Sequence, residues 1–225
     1  MITENASELR FTATRSSGAV SALWLRPDDA RAVLVLAHGA GAGMRHAFME
    51  AVAGRLAGRG IATFRYQFPY WEQGKRRPDP PRVLVETVRS AVVAAADLAG
   101  GLPLFAGGKS MGGRMTSTAA SEDALPGVRG LIFFGFPLHP PGKPATVRGD
   151  HLAGVRVPML FLQGTRDKLA ELDLLRPICA RLGDRATLHV VEGADHGFHV
   201  LKRSGRTDDE VLDELADTAT AWAAP

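Results

Sequence analysis

Short apolar runs recur along this 225-residue chain, and the stretches between them are long enough to be helices. Val33–Ala37 is apolar without interruption and ends at His38-Gly39. A run with no polar alternation suits a strand buried on both faces. Comparable runs follow at 61–66, 102–106, 131–135, 158–162 and 186–191. Between them the spacing predicts helices over 46–58, 82–99, 110–120, 171–182 and 207–223. Strands joined through helices of that length need right-handed crossovers, so the pattern dictates a mostly parallel, doubly wound α/β sheet with helices on both faces. Alternating segments near 9–14 and 19–25 add an antiparallel edge, and the Pro/Gly-rich stretches 67–81 and 137–149 read as loops. No linker divides the chain, so 1–225 reads as one domain, and no insertion is long enough for a large cap.

Composition narrows the function classes. Lys and Arg number 27 against 24 Asp and Glu, a net charge of +3 that calls for neither nucleic acid nor a membrane surface as partner. Cys179 is the only cysteine, which rules out an intrachain disulfide and a four-cysteine zinc site; its apolar neighbours place it in a core. MITENASELRF shows no secretory pattern and no apolar stretch has membrane-spanning length, so a cytoplasmic protein is expected.

The stretch Gly107–Gly113, GGKSMGG, admits two readings. As the end of a phosphate-binding loop, G-x-x-x-x-G-K-[ST], it needs a first glycine where the chain has Pro103, and proline lacks the backbone N–H that such a cradle uses. As G-x-S-x-G it fits a nucleophile elbow. A strand runs into a helix through a tight turn, Ser110 stands at the apex, and Gly108 and Gly112 give it room. The N–H of Met111, at the helix N-terminus, then faces the reaction centre.

A serine hydroxyl needs a base, and the base needs an orienting carboxylate. Of seven histidines, His196 lies just after the strand at 186–191, and Asp167 lies just after the strand at 158–162. Both would open on the sheet edge that carries Ser110. Asp173 and Asp195 are the alternative acids. His46 and His189 read as structural, and His199 lacks the H-E-x-x-H spacing, so no metal is expected. Lys109 reads as a solvent-facing or salt-bridged lysine. The small-residue loop His38–Gly43 can supply a second oxyanion donor from the N–H of Ala40 or, alternatively, Gly41, with His38 bracing the loop. Tyr70 and Trp71 of loop 67–81, with Phe136, are the candidates for lining a substrate; the alternative is that the aromatics pack that loop down and Lys75, Arg76 and Arg77 are merely solvated.

The segments LAHGAGAGMRHAFM, FRYQFPYWEQGKRRPDPP, GGKSMGGRM, FFGFPLHPPGKP, FLQGTRD and GADHGF resemble the small α/β-hydrolase-like family of testis-expressed protein thirty and subunit three of the non-specific-lethal complex. They are more distantly similar to dienelactone hydrolases, which use a cysteine where this chain has Ser110. The resemblance implies an α/β-hydrolase fold without a large cap and little about substrate; some members are thought to act as scaffolds. Together these readings predict a serine hydrolase for small or medium acyl esters that needs no cofactor, acts on a small-molecule substrate and works as a monomer or homodimer. Its rivals are a non-catalytic interaction module, or a thioesterase or peptidase using the same three residues.

Overall fold

A computed structural model describes residues 6–224; the first five residues, which begin the stretch read above for a secretory signal, and Pro225 lie outside it. An antiparallel hairpin of β1 (Ser7–Thr14) and β2 (Gly18–Leu25) forms one edge of the sheet. Beyond it run β3 (Ala32–Ala37), β4 (Ile61–Tyr66), β5 (Leu104–Lys109), β6 (Val128–Phe134), β7 (Met159–Gly164) and β8 (Ala186–Val191). The strand order is β1-β2-β4-β3-β5-β6-β7-β8; β2 meets β4 antiparallel, and β3 to β8 are parallel throughout.

Among the described residues there are six α-helices: α1 (Ala47–Ala57), α2 (Pro69–Glu72), α3 (Pro81–Ala99), α4 (Met111–Glu122), α5 (Leu172–Leu182) and α6 (Asp208–Ala223). The unbroken apolar run of β3 has its reason here. Val33, Val35 and Ala37 join the core under α3, α4 and α5, while Ala32, Leu34 and Leu36 join the core under α1 and α6. A strand covered on both faces has no side that can afford polar residues. Cys179 is buried in the first of these cores, as the sequence suggests.

Several expected boundaries move. The strand expected at 102–106 begins at Leu104, because Pro103 cannot donate to a ladder, and it runs on through both glycines to Lys109. Segment 67–81 is not wholly a loop: Pro69 starts the one-turn helix α2, and Pro81 is the first residue of α3, since a proline's missing N–H costs nothing in a first turn. The expected loop 137–149 gives way at its end to a 3₁₀ helix, Val147–Gly154. His46 stands at the N-cap of α1, not inside it, accepting from the Phe48 N–H at 3.2 Å. No helix among the described residues is long and apolar enough to cross a membrane.

Candidate active site

The C-terminal ends of β3, β5, β7 and β8 converge on one edge of the sheet. Ser110 links β5 to α4 with φ 52° and ψ −117°, a backbone region costly for any residue with a Cβ. The fold holds it there from both sides: its N–H donates to Phe134 O at 3.2 Å, and its carbonyl accepts from Arg114 N at 3.1 Å. Gly108 and Gly112 are needed for close approach. A Cβ at either would lie 2.4 or 2.5 Å from the Ala37 carbonyl oxygen, so a side chain at either position would push β3 away from the elbow.

His196 sits in the turn after β8. Its Nε2 lies 2.8 Å from Ser110 Oγ and its Nδ1 2.7 Å from Asp167 Oδ2. A carboxylate can only accept, so Nδ1 carries the proton and Nε2 is free to take one from the hydroxyl. Asp167, 3% exposed after β7, is itself fixed: Oδ1 accepts from Leu169 N at 2.8 Å and Oδ2 from Gln163 Nε2 at 2.6 Å. Gln163 is fully buried, and its Oε1 accepts the Phe136 N–H at 2.9 Å, which settles which end of the amide faces the carboxylate. The alternative acids fall away. Asp195 Oδ1 is occupied by the N–H groups of Gly197 and His199, shaping the turn around His196, and Asp173 lies in the first turn of α5.

Beside Ser110 runs the loop after β3; a Cβ on Gly39 would lie 3.7 Å from Ser110 Cβ. Ala40 and Gly41 follow it around a small cavity, and Met111, as the first residue of α4, has an N–H with no carbonyl one turn back. His38 does brace this loop. Its Nε2 accepts from Phe68 N at 3.1 Å, so its Nδ1 carries the proton and donates to Gly39 O at 2.7 Å. Burial lowers its pKa to about 4, which keeps the ring neutral.

The substrate-lining candidates need correction. Tyr70 is fully buried, and its hydroxyl donates to Ala40 O at 2.9 Å; burial, and after it the charge of Asp79, raises its pKa, so it stays a donor. Trp71 is half-buried, packing on Gly43 and 6.0 Å from the His38 ring. Phe136 is fully buried against Phe133 and Phe161. All three side chains support the loops from behind because their rings complete the core beneath them. The residues around the Ser110 cavity, about 300 Å³, include Phe48, Met49 and Leu169, with His46 at the rim. Phe48 and Met49 lie on α1, one turn after the glycine loop, and no spacing rule pointed to them. Gln163 was visible in QGTRD but carried no chemical signal of its own. Lys109 is half-buried at the wall of this cavity and pairs with no carboxylate: its Nζ donates to His196 O at 2.5 Å. Among the described residues no cluster of His, Cys, Asp and Glu could hold a metal ion.

The model of the alpha/beta hydrolase domain matches residues 30–224. The chain belongs to the alpha/beta hydrolase family. Solved alpha/beta hydrolases superpose on it closely. A serine hydrolase without lid from Xanthomonas campestris gives a TM-score of 0.76 at 19% identity, covering 100% of this chain and 99% of that one. Dienelactone hydrolase from Anabaena variabilis gives 0.74 at 19%, covering 96% of each. At such identities the likeness is one of fold, and it agrees with an alpha/beta hydrolase that carries no large cap. A Mycobacterium tuberculosis protein bearing the name of a phosphoribosyl transferase is 27% identical over 202 residues, 87% of this chain and 41% of that protein. The chain therefore spans less than half the length of the curated relatives it matches, and that name belongs to the longer protein.

Proposed function

We propose that this alpha/beta hydrolase is a serine hydrolase that cleaves small to medium acyl esters through an acyl-serine intermediate. The observation that carries the reading is the unbroken hydrogen-bonded relay from Ser110 Oγ through His196 to Asp167, at 2.8 and 2.7 Å. Ser110 Oγ attacks the acyl carbon while its proton passes to His196 Nε2, and the carbonyl electrons move onto oxygen. The N–H groups of Met111 and Ala40, or of Gly41 in place of Ala40, stabilise that oxyanion. As the ester C–O bond breaks, the imidazolium returns the proton to the leaving oxygen. Water then attacks the acyl-serine, giving its proton to Nε2, and collapse releases the carboxylic acid and restores the serine hydroxyl. Asp167 holds the productive tautomer and stabilises the transient imidazolium.

The apolar cavity of about 300 Å³ beside Ser110 favours a compact, uncharged acyl group. A more polar recess of about 620 Å³, with Arg166, Lys168 and Glu171 at its rim, adjoins His196 on the Asp167 side and offers room for a leaving group. Labelling with a fluorophosphonate followed by peptide mass spectrometry tests the reading. One adduct on Ser110, lost in Ser110→Ala and His196→Ala, is the expected result. A folded wild-type protein that takes no label overturns it and leaves the interaction-module reading in the lead.

A further inference from the structure

Lys109 is the residue beside the nucleophile, yet its side chain serves the base. It leaves the end of β5, passes Gly135, and places Nζ 2.5 Å from the backbone carbonyl of His196, a residue 87 positions away in the chain. The same ammonium stands 5.5 Å from the ring centroid of Phe48 and 5.3 Å from that of Phe198, and the two rings are stacked at 5.8 Å with an interplanar angle of 15°. Phe198 holds φ at +63°, strained for a residue with a Cβ, and lies two positions after His196. Glycine at 135, with φ +71°, keeps this route open: a Cβ there would sit 3.1 Å from Nζ and 3.4 Å from the His196 ring, close enough to press on both. A half-buried lysine whose ammonium is drawn away from water with no carboxylate in contact is unusual, because an ammonium loses part of its hydration there. What replaces that hydration is a carbonyl dipole and two aromatic faces.

We infer that Lys109 is a positioning residue that ties the nucleophile elbow to the His196 turn and so sets the approach of His196 Nε2 to Ser110 Oγ. The inference rests on the acyl-serine reading above. Ser110 follows β5 and His196 follows β8, strands that are not neighbours in the sheet, and apart from their own hydrogen bond the Lys109 bridge joins the two turns directly. The titratable groups facing it are Asp167 and Asp195, whose charges favour the ammonium, His196 itself, and His46 across the cavity. Burial outweighs the two carboxylates and brings the pKa of Lys109 down to about 8. Above that pH the neutral amine loses its hold on the aromatic faces and much of its bond to the carbonyl. The sign for stability is opposite. A lysine whose folded pKa is depressed costs stability while charged, and that cost lifts as pH rises from about 8 toward the ordinary value of 10.5.

The test uses Lys109→Met and Lys109→Arg, reading fluorophosphonate labelling rate against pH together with Tm. The expected Lys109→Met protein labels on the order of 10²-fold more slowly, as a displaced reacting group does. It keeps or exceeds the wild-type Tm at pH 7, and it lacks the wild-type fall in rate above pH 8. Arginine, which does not titrate there, restores rate and also removes the alkaline fall. An unchanged rate and pH profile in Lys109→Met overturns the inference. Should that variant fold poorly, a folded Lys109→Arg protein that retains the fall near pH 8 overturns it equally. Amide hydrogen exchange across residues 195–199 separates this from the underlying reading. Faster exchange in Lys109→Met with an unlabelled wild type supports the tie and sinks the acyl-serine; unchanged exchange sinks the tie.

Discussion

The loops after β3 and β8 each present a histidine with both ring nitrogens engaged, and they do opposite things with it. His38 is fully buried, with Nδ1 on the Gly39 carbonyl and Nε2 on the Phe68 N–H. Neither partner can gain or lose a proton at any working pH, so the ring is locked in one neutral tautomer and acts as a bracket. His196 has a side chain 25% exposed, and its partners are a carboxylate and a hydroxyl. One partner stabilises a positive ring, and the other has a proton to give. Residue type and position at a strand end are shared. The partners alone separate a brace from the proposed base.

The widest test of that contrast removes the reacting groups themselves. Ser110→Ala and His196→Ala should each lower ester turnover on the order of 10⁶-fold, because members of such a relay act as a unit. His38→Gln should leave labelling of Ser110 detectable. If it silences the enzyme as fully as His196→Ala, the division between brace and base is wrong. Asp167→Asn comes next. An amide can donate to Nδ1, which favours the wrong tautomer, and a loss of about 10⁴-fold in kcat is expected. The measurement is kcat for a chromogenic acetyl ester, with circular dichroism confirming the fold.

Much of this contrast could be read from the sequence, and what could not has a physical pattern. The convergence of Ser110, Asp167 and His196 was legible because the fold puts them after particular strands and because GGKSMGG tolerates few other backbones. The bracing role of His38 was legible for the same reason. Tyr70, Trp71 and Phe136 stayed ambiguous because aromatic residues in a proline-rich segment look the same whether they face a ligand or pack the loop down, and here all three pack inward. The helix α2 was hidden by Pro69, which reads as a breaker but begins a turn. Gln163 reaches Asp167 only four residues on, but its orientation is set by Phe136, and Phe48 and Lys109 likewise meet their partners across long stretches of chain. Lys109 read as solvent-facing or salt-bridged because a lone lysine is usually one or the other, and nothing local predicts a carbonyl and two stacked rings waiting across the sheet edge.

A narrower test asks how much the brace matters to the chemistry it supports. His38→Gln loosens the loop that carries Gly39, Ala40 and Gly41 while leaving the Ser110–His196–Asp167 relay in place. Loss of one oxyanion donor costs ~10²–10³ in rate, and a displaced donor should cost no more than that. Tyr70→Phe removes a second prop of the same loop, the bond to Ala40 O, and should add a smaller loss in kcat with little change in KM. A KM effect without a kcat effect in either variant would move these residues from oxyanion support to substrate contact.

The finest test of the bracket is in the stability curve. His38 has a folded pKa of about 4 against an ordinary 6.5, so between those values the unfolded chain binds a proton that the folded chain refuses. Stability is therefore fully present above pH 6.5 and drains away as pH falls toward 4. His151, lowered first by burial and then by the charge of Arg114, works in the same direction. In His38→Gln the fall of Tm between pH 6.5 and 4 should become shallower without vanishing, since His151 remains. Thermal scans across that window decide the matter. A slope unchanged by the substitution would mean that His38 accepts a proton in the folded protein, in which case its bond from Phe68 N–H must break and the bracket is not locked.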